Sequence, residues 1–122
     1  MKISILLPYK ENFSPTYPGA VSLFVKATNK VSSFKKNITV YGSTNHKKKL
    51  SSNYTNINLK KKFLTSQSKD YVQKFFDIIK DDPSDIIEIH NRPIYVNKLI
   101  ELKSNIVLYF HNDPISMIGS KT

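Results

Sequence analysis

Short apolar runs that alternate with helical patterns predict an α/β fold, a mainly parallel sheet of about five strands with helices on both faces. Two late runs, DIIEI and NIVLYF, are apolar almost without interruption, as expected of strands covered on both sides. Both then finish on the same polar pair, His-Asn, where the chain must turn. Parallel strands joined through helices require right-handed crossovers, so the expected domain is Rossmann-like and doubly wound, with neighbour order 3-2-1-4-5.

Each element has its own warrant. Residues 2–7, KISILL, form the first strand and Pro8 stops it. The loop PYKENFSPTYPG holds three prolines and one glycine and shows no periodicity. Val21, Phe24, Ala27, Val31 and Phe34 then recur at spacings of three and four, predicting an amphipathic helix over about 19–34. NITVYGS gives a β-branched strand at 38–42 with a glycine exit, and a polar connection leads to a weak third strand, INL, at 57–59. Tyr71, Val72, Phe75, Phe76 and Ile79 mark one face of a second helix over about 67–80, with Ser66 or Ser68 as its N-cap. DDPSD ends that helix and DIIEI follows as a strand at 85–89. Pro93 occupies a favoured first helical position, and Leu99, Ile100 and Leu102 are expected to face inward. The last strand is 105–110.

The chain of 122 residues is sized for one domain with a real core. No apolar run approaches the length that spans a bilayer. The opening MKISILLPYKEN has too short an apolar core for a signal peptide and reads as a strand. With no cysteine, disulfides and thiolate metal sites are excluded, which fits a reducing compartment. The net charge of +10 is uneven. Residues 1–69 carry thirteen lysines against the single acid Glu11, while residues 70–122 carry five lysines and Arg92 against eight acids. A basic half of this kind meets nucleic acid, an anionic membrane surface or a phosphorylated ligand, or is simply a solvated face.

The twin strand ends acquire a meaning from the fold. In open α/β sheets ligands sit outside the carboxyl ends of the strands, near the point where strand order reverses. His90, Asn91 and Arg92 lie at one such end; His111, Asn112 and Asp113 lie at its expected neighbour. The loop 8–19 leaves the end of the first strand, so all three segments converge on one rim. Backbone amides near Gly19 and Ala20, at a helix start, could receive a phosphate or carboxylate. His111 can donate or accept near neutral pH. Asp113 either orients an acceptor or His111, or closes the turn before Pro114. Arg92, the only arginine, suits a bidentate anion or an ion pair with Glu88 or Asp113, and Asn91 is placed to cap the helix that Pro93 begins. His46 sits in a lysine run and has no functional case. Phe24, Phe34, Phe75 and Phe76 stand at helical spacing and read as core.

DIIEIHNRP, a helix, and a strand ending in HNDPISMIGSKT resemble the N-terminal domain of B-fold glycosyltransferases. The closest likeness is to the retaining, sucrose-synthase-like family of lipopolysaccharide and surface-glycan biosynthesis. The resemblance implies that residues 1–122 are an acceptor-side domain. A nucleotide-sugar-binding C-terminal domain would then lie outside this chain, and the fragment alone would be inactive. It further implies a hexosyltransferase, cytoplasmic or peripheral at an anionic membrane, moving sugar from a nucleotide-sugar to a glycan or lipid-linked acceptor. His111 and Asp113 would serve the chemistry. Gly19, Ala20, His90, Asn91, Arg92 and Asn112 would serve binding. Many relatives carry two adjacent glycines and then an acid at the first helix; PGAVS has Gly19 alone.

No cofactor or metal is expected. Three histidines in three segments give no ligand spacing. The chain has no G-x-S-x-G elbow and no G-x-G-x-x-G after its first strand. The competing reading is a basic Rossmann-like module that binds nucleic acid or another polyanion without catalysis. Its single arginine argues against a nucleic-acid reader, which favours arginine and aromatic contacts.

Overall fold

The computed structural model describes residues 1–60 and 66–112. Its elements are β1 (Ile3–Leu6), α1 (Ala20–Val31), β2 (Ile38–Gly42), β3 (Tyr54–Asn56), α2 (Gln67–Ile79), β4 (Ile86–His90), α3 (Val96–Leu99) and β5 (Asn105–Tyr109). The five strands form one sheet in the order β3-β2-β1-β4-β5, every pair parallel, as the alternation of patterns predicts. Order reverses between β1 and β4, so the switch point lies between those two strands.

Helices cover both faces. On one, Val21 and Val25 of α1 pack with Ile5, Leu7, Val40 and Phe13. On the other, Tyr71, Phe75 and Ile79 of α2 and Leu99 of α3 pack with Leu6, Ile87 and Ile89. Each fully buried side chain of this size contributes about 1.5–3 kcal/mol. Ser66 caps α2, its hydroxyl accepting from the Lys69 amide. The buried Tyr71 hydroxyl donates to the Leu7 carbonyl at 2.6 Å, fixing the chain where it leaves β1. Burial pushes this phenol well above its ordinary pKa, so it remains a donor.

Several boundaries and faces differ from the sequence pattern. In α1 the buried residues are Val21, Ser22 and Val25, whereas Ala27, Val31 and Phe34 are exposed. The buried face runs through Val21 and Val25, one turn apart, and Ser22 beside them is held by two hydrogen bonds to Glu11. The third strand is Tyr54–Asn56 rather than 57–59. Tyr54 stacks on Phe13 at 5.0 Å, and Val40 donates to the Asn53 carbonyl, which sets the earlier register. The helix opened by Pro93 begins as a 3-10 turn over Pro93–Tyr95, and Ile100 is exposed while Leu99 is buried. Val107, Leu108 and Tyr109 of β5, an edge strand, are exposed, so the double coverage expected for this run does not reach it among the described residues.

Candidate functional site

The carboxyl ends of β4 and β5 meet as foreseen, and their two histidines touch. In a strand, side chains two apart share a face, so Glu88 and His90 both project toward the α1 side of β4. Glu88 Oε2 lies 2.8 Å from His90 Nε2, and His90 Nδ1 lies 2.7 Å from His111 Nε2. Glu88, His90 and His111 thus form one hydrogen-bonded chain running from carboxylate to imidazole to imidazole. An ionised Glu88 accepts only, which assigns a hydrogen to His90 Nε2. His90 Nδ1 then accepts from His111 Nε2–H, leaving the His111 Nδ1 lone pair as the outward end of the chain. A proton taken up there can be passed inward toward the Glu88 carboxylate.

Aromatic rings hold the chain in place. His90 stacks on Tyr109 at 5.3 Å and on His111 at 5.0 Å. Phe24 of α1 meets His111 edge-on at 4.8 Å and Tyr109 at 4.9 Å. Phe24 therefore belongs to the wall of this corner rather than to the apolar core that its spacing implies. Burial pushes the His111 pKa below 6.5, the neighbouring His90 pushes it the same way, and Glu11 and Glu88 oppose. His111 is thus tuned toward the neutral form that can accept a proton near pH 7.

Asn91 builds the turn. It adopts a left-handed backbone, φ 56°, which asparagine tolerates better than most residues. Its amide donates to the Tyr109 carbonyl, and its side-chain oxygen accepts from the His111 amide at 2.7 Å. The side chain expected to cap a helix instead ties the two strand ends together, and the residue at the cap position is Arg92. Arg92 is exposed and donates to the Asn91 carbonyl; Glu88, one of its two expected partners, is taken by His90. His90 is fully buried and Asn91 nearly so, which leaves neither side chain open to a ligand, and both hydrogen-bond to His111. Asn112 is exposed beside His111. Asp113 lies outside the described residues.

Gly19 and Ala20 sit where the pattern puts them, at the start of α1, but that turn is held by the chain's own anion. Glu11 Oε2 accepts from the Ser22 amide at 2.9 Å and from its hydroxyl at 2.8 Å. A Cβ on Gly19 would stand 1.8 Å from the same oxygen, so any larger residue there makes the Glu11 carboxylate move. A ligand anion at this turn has to displace that carboxylate. Sequence reasoning missed Glu11 in this role and Glu88 as the end of the histidine chain. For Glu88 a signal existed, the i, i+2 spacing of Glu and His in a strand.

Beyond β1, a cleft of about 630 Å³ opens over the ends of β1, β2 and β3. Tyr9 and Lys10 wall it on one side, Thr44 and His46 on another, Asn56 and Asn58 on a third. Among the described residues no group of three or more His, Asp or Glu side chains is arranged to hold a metal ion. None of their helices is long and apolar enough to cross a membrane. Compared with protein-family models, curated proteins and solved structures, the chain matches none.

Proposed function

We propose that this chain is the acceptor-side, Rossmann-like domain of a glycosyltransferase. It would work with a nucleotide-sugar-binding domain to move a sugar onto a glycan or lipid-linked acceptor. The observation that carries the reading is the Glu88–His90–His111 chain at the strand ends beside the switch point. Sugar transfer needs an acceptor hydroxyl oriented and its proton accommodated. His111 is the group that meets substrate; His90 and Glu88 are positioning residues that set its tautomer. Arg92 and Asn112 flank it on the exposed side.

Ring-resolved NMR of the histidines during titration with acceptor glycosides and nucleotide-sugars tests this reading. Saccharide-induced shifts at His111 that persist at high salt support it. A second reading, a basic module that grips nucleic acid or another polyanion, has one observation in its favour. Among the described residues only Lys2, Lys80 and Lys98 lie within ion-pair distance of a carboxylate. If polyanions alone bind, and affinity falls by about 10³ or more between 50 and 200 mM salt, the second reading replaces the first.

A further inference from the structure

The cleft over β1–β3 has a chemistry unlike that of the histidine corner, and none of its walls enters the proposed transfer site. Its volume of about 630 Å³ falls within the range of small-molecule sites, about 300–1,000 Å³. Hydroxyls and carboxamides dominate the lining: Ser43, Thr44, Asn45, Asn56, Asn58 and Gln67. Groups that both donate and accept match sugar hydroxyls, which also do both. Leu59 and the Tyr9 ring, both partly exposed, supply apolar surface for the C–H face of a sugar ring.

The walls are set before any ligand arrives. Thr44 N–H donates to Asn56 Oδ1 at 2.9 Å, and the Tyr54 hydroxyl donates to the same oxygen at 2.8 Å. Asn56 Nδ2 donates to Asn58 Oδ1 at 2.6 Å. The Tyr9 hydroxyl donates to Gln67 Oε1, while Asn45 and Gln67 Nε2 have no hydrogen-bond partner among the described residues. Lys10 holds a left-handed backbone, φ 68°, that a lysine does not favour, and its amide is fastened to Ser43 Oγ at 3.0 Å. Strain of this kind persists only where surroundings dictate the conformation, and here it puts an ammonium at the cleft.

Charge narrows the ligand. The lining contains Lys10 and His46 and no carboxylate. Lys10 has no acid partner among the described residues; its ammonium rests 5.5 Å from the Tyr9 ring centroid. We infer that this cleft is a binding site for an anionic saccharide, its hydroxyls read by the carboxamide walls and its phosphate or carboxylate by Lys10 and His46. The inference stands on the cleft alone and holds whether or not the histidine corner serves sugar transfer.

Backbone-amide NMR of the whole chain tests it with four probes: a hexose 6-phosphate, a hexuronate, the unsubstituted hexose and inorganic phosphate. Saturable shifts at Ser43–Asn45 and Asn56–Asn58 are expected with one of the two anionic sugars, and which one binds identifies the anion. The parent hexose and inorganic phosphate should each bind at least about tenfold more weakly. Lys10→Ala, an exposed site whose new side chain meets the same backbone conformation, should weaken the anionic sugar about tenfold. His46→Ala should weaken it less, and Lys26→Ala on α1 not at all. Equal losses from Lys10→Ala and Lys26→Ala would reduce the effect to diffuse charge and overturn the inference. So would inorganic phosphate matching the sugar, or silence at these amides with both anionic sugars. Shifts at the cleft with none at His111 would leave this site standing while removing support from the transfer reading.

Discussion

The two regions on the carboxyl rim differ in almost every physical respect. At β4 and β5 the titratable groups are packed under rings: His90 has no exposure, and Phe24, Tyr109 and His111 enclose it. At β1–β3 the polar groups line an open cleft and the cation faces solvent. A buried polar chain is costly unless every member is satisfied, and a satisfied one is rigid and tuned. An open amide wall has water as its alternative partner, so it binds by many modest contacts. One rim thus carries a buried histidine corner and an open polar cleft, divided by β1 and its loop.

The largest way to break this contrast is His90→Ala. It removes a fully buried ring and strands Glu88 and His111, so unfolding in urea should show a loss of about 2–4 kcal/mol. The cleft amides should keep their native NMR positions where the variant still folds. Next in size is Gly19→Ala, whose new methyl group would expel the Glu11 carboxylate from α1. Thermal or urea unfolding should register about 1 kcal/mol, the usual scale of a lost N-terminal cap. Glu11→Gln keeps an acceptor there but removes a charge that holds the His111 pKa up, so that histidine should titrate lower still.

A smaller effect is carried by pH. The folded protein holds His111 below 6.5, so just under that pH the unfolded chain binds more protons than the folded one. Stability contributed by this group is therefore full above pH 6.5 and declines as pH falls toward the folded-state value. Urea midpoints measured across that window, against a His111→Gln control that lacks the slope, check the sign. The smallest change belongs to the cleft side: Lys10→Ala should alter stability by less than about 0.5 kcal/mol, since the site is exposed and both residues meet the same backbone strain. A large loss there would mean that Lys10 braces the loop rather than serving a ligand.

Much of the frame was legible before the structure. Alternating strand and helix patterns carry the strand order, and two His-Asn ends carry the meeting of β4 with β5. The pattern Val21, Phe24, Ala27, Val31 and Phe34 misplaces the buried face of α1, which runs through Val21 and Val25 with Ser22 held beside them by Glu11. The chain Glu88–His90–His111 was half visible: both histidines stood out, but Glu88 reads in the sequence as an ion-pair partner for Arg92, whereas it bonds His90. The cleft was illegible, since its carboxamides are scattered over the end of β3, the start of α2 and the loops beside them, and look like an ordinary polar connection. His46 shows the same limit, without a role in its lysine run yet lining the cleft once β2 and β3 are paired.

The account rests most heavily on the coupling of Glu88 to His111 through His90. Nitrogen-15 NMR of the two imidazoles, in the native chain and in Glu88→Gln, measures it directly. The predicted result is hydrogen on Nε2 of both rings above pH 7, a His111 midpoint below 6.5, and a further fall of that midpoint in Glu88→Gln. A His111 that titrates at or above 6.5 and ignores the loss of Glu88 would contradict the chain, and with it the case for a proton-handling corner.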